Sequence, residues 1–222
     1  MTDNLKKIKT ISTKSKPSNF PQRLLKLPVV PLREGILFPI TESVLAFGRD
    51  ISLEGLKIAT KNPKKLVVLL AQKKSSTINP KAKDLYTIGT LATVERTIKT
   101  EDTVNALVRG IGRIKVQQFT KESPYLEAQV TRVADIENTD DETKALANHL
   151  QKSFRKTIQM GKPVEFLNFM KLLGGVKSGE LADQIASTLN LSTKIKQSIL
   201  ETIDVKQRLQ IVSDHLSREI KI

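Results

Sequence analysis

The chain has 222 residues, 39% of them hydrophobic and 27% charged, with a net charge of +14 and no cysteine. This composition excludes a disordered chain, a disulfide scaffold, a thiolate metal site and a cysteine nucleophile. The longest unbroken apolar run, Leu66 to Ala71, falls far short of the roughly 20 residues that span a bilayer as a helix, and no apolar signal segment follows Met1. The expectation is a cytoplasmic protein with no membrane partner.

The charge is uneven: residues 1–26 carry +6, residues 27–140 carry +4 and residues 141–222 carry +4. Residues 1–23 read as a disordered basic tail rich in Lys, Ser and Thr. Such a tail attracts any polyanion without specificity, so non-specific nucleic acid is an expected partner there.

The first ordered stretch is Leu27 to Ile40, LPVVPLREGILFPI. Its apolar residues predict a strand, yet proline cannot donate to a ladder, so the strand is expected at an edge or first in a sheet. Glu42 to Phe47 is a second short strand. A helix follows, with Leu53, Leu56 and Ala59 at helical spacing. Asp50 or Ser52 can cap it, and Asn62-Pro63 stops it.

Leu66 to Gln72 reads as a strand buried on both faces. Gly89 to Lys99 and Val104 to Arg109 flank a hairpin turn at Thr100 to Thr103. Gly110 and Gly112 mark a bend or bulge, and Tyr125 to Val133 is the last strand. Several short strands with one early helix predict a small barrel or sandwich over residues 24–137.

From Thr139 onward the pattern is helical, giving an α-helical region over 140–222. Leu146, Leu150 and Phe154 share a face, and Gly161-Lys162-Pro163 breaks the helix. Val164 to Leu173, Glu180 to Leu189 and Thr193 to Thr202 follow. The last helix places Val205, Leu209, Val212, Leu216 and Ile220 on one stripe. That stripe is expected to dock another copy or a further module. The helix meets no stop before Ile222, which predicts a chain continuing into something longer or lacking a partner.

Chemistry is sparse. Gly174 to Gly179 lacks the G-x-x-x-x-G-K-[S/T] order of a phosphate loop, and Gly110-x-Gly112 lacks the rest of a dinucleotide fingerprint. His149 and His215 have no partner nearby in sequence, and no glycine-flanked nucleophilic serine is present. No catalytic residue, metal ligand or cofactor is expected. Aromatic residues make up 4% of the chain, which leaves little material for base stacking.

Several stretches nonetheless recur in a recognisable order: Leu27 to Glu34, Leu37-Phe38-Pro39, Phe47 to Asp50, Leu69 to Lys73, Asp84 to Thr90, Leu107 to Arg113, Leu181 to Ala186, Gln197 to Glu201 and Asp204 to Leu209. Together they resemble the N-terminal, substrate-binding domain of the ATP-dependent Lon protease family. The resemblance implies an α+β chain: a PUA-like β-barrel domain with one early helix over 24–137, then an α-helical bundle domain over 140–222. It also implies a hexameric protease whose AAA+ ATPase and Ser-Lys protease modules lie outside these residues, so this chain is expected not to be an enzyme by itself.

The implied function is recognition of unfolded or degron-bearing polypeptides for degradation. The expected substrate-binding residues are Arg33 and Glu34 at a turn, with Leu37 and Phe38 as an apolar lip beside a proline-guarded edge strand. Since PUA-like barrels elsewhere bind RNA, a stand-alone module binding RNA or DNA is the alternative.

Overall fold

A computed structural model describes residues 23–161 and 175–220. The basic tail, the helix predicted over Val164 to Leu173, and the side chain of Ile220 lie outside the described residues. No helix among those described is long and apolar enough to cross a membrane.

Six strands form one mixed sheet: β1 (Leu25–Leu32), β2 (Glu42–Phe47), β3 (Leu66–Ala71), β4 (Ile88–Lys99), β5 (Val104–Lys121) and β6 (Leu126–Val133). Their order is β2-β5-β4-β3-β1-β6, and β6 also pairs with β5, so five of the strands return on themselves. Helix α1 (Asp50–Lys61) interrupts the strands, and α2 (Asp141–Gln159), α3 (Ser178–Thr188), α4 (Thr193–Glu201) and α5 (Val205–Ile220) follow them.

β3 is apolar throughout because both of its faces are covered. Val67 and Leu69 join Val30, Leu32 and the α1 residues Leu56 and Ala59 in one cluster. Val68 and Leu70 join Val29, Ile114, Leu126 and Val130 in another. A strand with a core on each side has no use for alternation.

β1 is not an edge. Residues 25–29 pair antiparallel with β6, and residues 29–32 pair in parallel with β3. The prolines survive because of register. The Leu32 carbonyl accepts from Gln72 N on the β3 side; by alternation Pro31 faces the other side, beyond the last β6 partner at Val29. Pro28 faces β3 one residue before that pairing begins. Each missing N–H falls where no neighbouring strand asks for it.

The glycine signal at 110–112 is a bulge: the β4–β5 register shifts between Leu91 opposite Gly112 and Ala92 opposite Gly110. Gly110 also lets the loop after β1 cross closely, since a Cβ there would sit 2.3 Å from the Phe38 carbonyl oxygen. Gly110→Ala is therefore expected to destabilise the chain by about 1–3 kcal/mol, read as a lower thermal midpoint. An unchanged midpoint would show that the crossing loop yields freely.

The helices share a third core. Leu150 and Phe154 of α2, Ile185 and Leu189 of α3 and Ile199 of α4 surround Val205, Leu209, Val212 and Leu216 of α5, all of them buried. The predicted α5 stripe is real, but its four described members are covered from within the chain. They are therefore not an open surface for a second copy or another module. Asp140 starts α2 by accepting from the Thr143 backbone N–H at 2.9 Å and from its hydroxyl. These hydrogen bonds hold the Asp140 carboxyl below its ordinary value.

Strands and helices are joined by charge as well as by oil. Arg113 of β5, 3% exposed, donates both guanidinium Nη atoms to Asp183 of α3, at 2.8 and 2.6 Å, and its Nε to the Leu200 carbonyl at 2.7 Å. Arg208 of α5, fully buried, reaches Asp135 after β6 and the Thr202 carbonyl. Its Nε also lies 3.3 Å from Asp183. The backbone of Ile136 meanwhile pairs with Ile203 and Val205.

Candidate functional site

Among the described residues, the position of β2 leaves one side of its backbone without a neighbouring strand. β5 is long enough to serve two strands on one side: residues 104–109 pair with β2 and residues 113–121 with β6. β6 in turn stops covering β1 at Val29. Past that point, among the described residues, no strand joins the end of β1 to β2, and the sheet has a seam.

A cleft of about 430 Å³ occupies this seam. One wall is Pro31, Leu32, Arg33 and Glu34, and the other is Leu45 to Arg49 with Ser52. Among the described residues, β2 has no strand on its seam side. The Thr41 carbonyl accepts from Gly110 on β5, so alternation turns the backbone of Val44 and Ala46 toward the seam. The opposite wall begins at Pro31, which has no N–H to offer. The outer face of this edge is apolar at Val44, 67% exposed, with Leu107 beside it on β5 and Ile98 further across on β4.

Arg49 spans the seam. It donates to the Pro31 carbonyl at 3.0 Å and to the Gln72 side-chain oxygen. Burial, and then the like charge of Arg33, lower its pKa from the ordinary arginine value. The Arg33–Glu34 turn is held by Gly35, which takes φ of +79° and donates its N–H to Thr193 Oγ1 at 2.8 Å at the start of α4. A second cleft, lined by Arg33, Glu34, Lys73 and Lys194, opens on that side. Both exposed residues of the turn therefore border two clefts.

The sequence-predicted binding residues divide in two. Arg33 and Glu34 lie exposed at the seam. Leu37 and Phe38 form no lip: Leu37 is buried in the cluster beneath α1, and Phe38, fully buried, enters the helical core. The physical reason is that the loop after Gly35 turns inward, with Ile40 N bonded to the Gly110 carbonyl and Thr41 closing back on Phe38. Val44, Ala46, Arg49 and Ser52 were not singled out as binding residues. β2 looked like any short strand, and its open side follows from how far β6 reaches along β5, which no local pattern encodes.

Comparison with known proteins agrees with this architecture. Residues 26–218 match the family described as the ATP-dependent protease La (LON) substrate-binding domain. The chain is 34% identical over 198 residues to a Lon protease of Anaeromyxobacter dehalogenans, covering 88% of this chain and 23% of that protein. It is 35% identical over 204 residues to a Lon protease of Bacillus thuringiensis, covering 88% and 26%. The chain thus spans about a quarter of the length of these curated relatives.

Among solved structures, the N-terminal domain of a Mycobacterium avium complex Lon protease superposes with a TM-score of 0.72 at 22% identity, covering 87% of this chain and 98% of that one. A Lon N-terminal domain protein from Xanthomonas campestris gives 0.58 at 17%, covering 84% and 95%. These two likenesses concern the fold alone. With the family matched from β1 nearly to the end of α5, this chain belongs to the Lon substrate-binding domain family.

Proposed function

We propose that this chain is the client-recognition part of an ATP-dependent Lon-type protease, and that it takes hold of unfolded polypeptide by strand addition at the seam. The observation that carries this reading is the side of β2 at Val44 and Ala46, which has no neighbouring strand among the described residues and faces a proline-blocked wall across an open cleft. An extended peptide laid there satisfies the Val44 and Ala46 backbone groups, and its side chains alternate between the cleft and the apolar outer face. Main-chain hydrogen bonds ask little of the client's sequence, which suits a domain meeting many misfolded chains.

In this reading the returning strands form a PUA-like barrel over 24–137, the helices over 140–222 form a bundle, and the chain recognises clients without cleaving them. Its further partners are the ATPase module and hexamer of the protease. A nucleic-acid role draws no support from the seam, whose backbone edge and apolar face suit peptide rather than bases.

The test is Ala46→Pro. The lost N–H points at the seam rather than at β5, so the fold and its thermal midpoint are expected to hold. Affinity for a permanently unfolded, carboxymethylated protein is expected to fall about three- to tenfold, the value of one net backbone hydrogen bond. Equal affinity in the variant would rule out β2 as the docking edge.

A further inference from the structure

Neither residue expected to cap α1 does so: Arg49 occupies the N-cap position and no side chain caps the helix. Ser52, in the first turn, is 1% exposed and its Oγ has no hydrogen-bond partner. Buried hydroxyls are nearly always bonded, so an orphan on a residue that lines a cleft is a candidate donor to a bound group. Ser52 lines the seam cleft, together with Arg33 and Arg49.

The surroundings favour an anion. Two guanidinium groups share one small cleft, and Glu34 is the single acid lining it, which leaves one cation in excess. The first turn of a 12-residue helix adds the positive end of its dipole, while the Ser52 N–H is itself bonded to the Arg49 carbonyl. Arg49 keeps its place through Pro31 and Gln72, so it presents charge without needing to move. Arg33 sits on the exposed turn and can close over what enters.

The chain direction selects the kind of anion. β2 ends at Phe47, and α1 begins at Asp50. A peptide added parallel to β2 therefore points its C-terminal end toward Arg49, which already bridges the seam to the Pro31 carbonyl. The group that ends a polypeptide there is its terminal carboxylate.

We propose that the α1 end of the seam is a carboxylate pocket, formed by Arg33, Arg49, Ser52 Oγ and the first turn of α1, which captures the C-terminus of an extended client. The proposal rests on the strand-addition reading above and adds a preference for free chain ends. A carboxylate accepting charge-assisted hydrogen bonds binds far better than a neutral amide of the same shape.

The test uses the whole 222-residue chain and a fluorescein-labelled, unstructured decapeptide followed by anisotropy. Three forms are compared: free C-terminus, amidated C-terminus, and amidated with glutamate at the last position. The free acid is expected to bind about tenfold more tightly than either amidated form. That advantage is expected to shrink to about twofold in a chain carrying Arg33→Gln and Ser52→Ala. Neither substitution removes a bonded partner seen in the fold.

If acid and amide bind equally while Ala46→Pro weakens both, the pocket is overturned and strand addition stands. If Ala46→Pro weakens neither, strand addition falls and the pocket falls with it. If the glutamate peptide matches the free acid, the commitment to chain ends is wrong. If the preference survives in the double variant, the carboxylate is held elsewhere.

Discussion

Asp183→Leu is expected to be among the most damaging single substitutions in this chain, lowering stability by about 3–5 kcal/mol. Asp183 is 2% exposed and accepts both Nη donors of Arg113, with Arg208 Nε 3.3 Å away. Removing the carboxylate leaves two buried guanidinium groups, Arg113 and Arg208, sharing the single acid Asp135, which lies 3.5 Å from Arg113. The under-compensated buried charge, rather than a lost attraction, supplies the magnitude. A chain carrying both Arg113→Met and Asp183→Leu is expected to recover part of that loss, because the surplus cation goes with its partner. Urea midpoints for the two singles and the double, combined as a cycle, measure it. A double variant as unstable as the sum of the singles would mean that these groups act independently.

The same network ties distant pieces of chain together, since Arg113 lies on β5, Asp183 on α3 and Arg208 on α5. Backbone pairing of Ile136 with Ile203 and Val205 runs alongside it.

Phe38→Ala is expected to cost about 3–5 kcal/mol of stability, with client affinity unchanged once the variant is kept folded. Phe38 is fully buried among Leu150, Phe154, Ile185 and their neighbours. It is carried there by a loop that otherwise belongs to the strands. Truncation leaves a ring-sized cavity between the two parts. A normal thermal midpoint combined with weaker client binding would restore the lip reading and place Phe38 at the surface.

Much of the fold was legible beforehand. The six strands, the early helix and the described helices after Asn138 follow from periodicity and from proline and glycine punctuation. Where the reading failed, it failed on faces. Prolines at 28 and 31 suggested an edge, but partners on either side of β1 simply stop short of them. The Val205–Leu216 stripe suggested an open surface, but an apolar stripe looks the same in sequence whether its cover is another chain or the preceding helices. Leu37-Phe38 suggested a lip, because solvent and core cannot be told apart in a run with no period.

Residue order alone determined which segments could be strand or helix, how basic each region is, and which family the chain resembles, since all of these depend on local composition and spacing. Tertiary structure alone decided that the seam lies beside β2, that Arg49 and an unpartnered Ser52 meet Arg33 there, and that Arg113 finds Asp183. Those outcomes depend on how far β6 extends along β5 and on where the helices cross the sheet. Strand reach and helix packing are set by the sum of many contacts far apart in the chain, so no short stretch of sequence contains them.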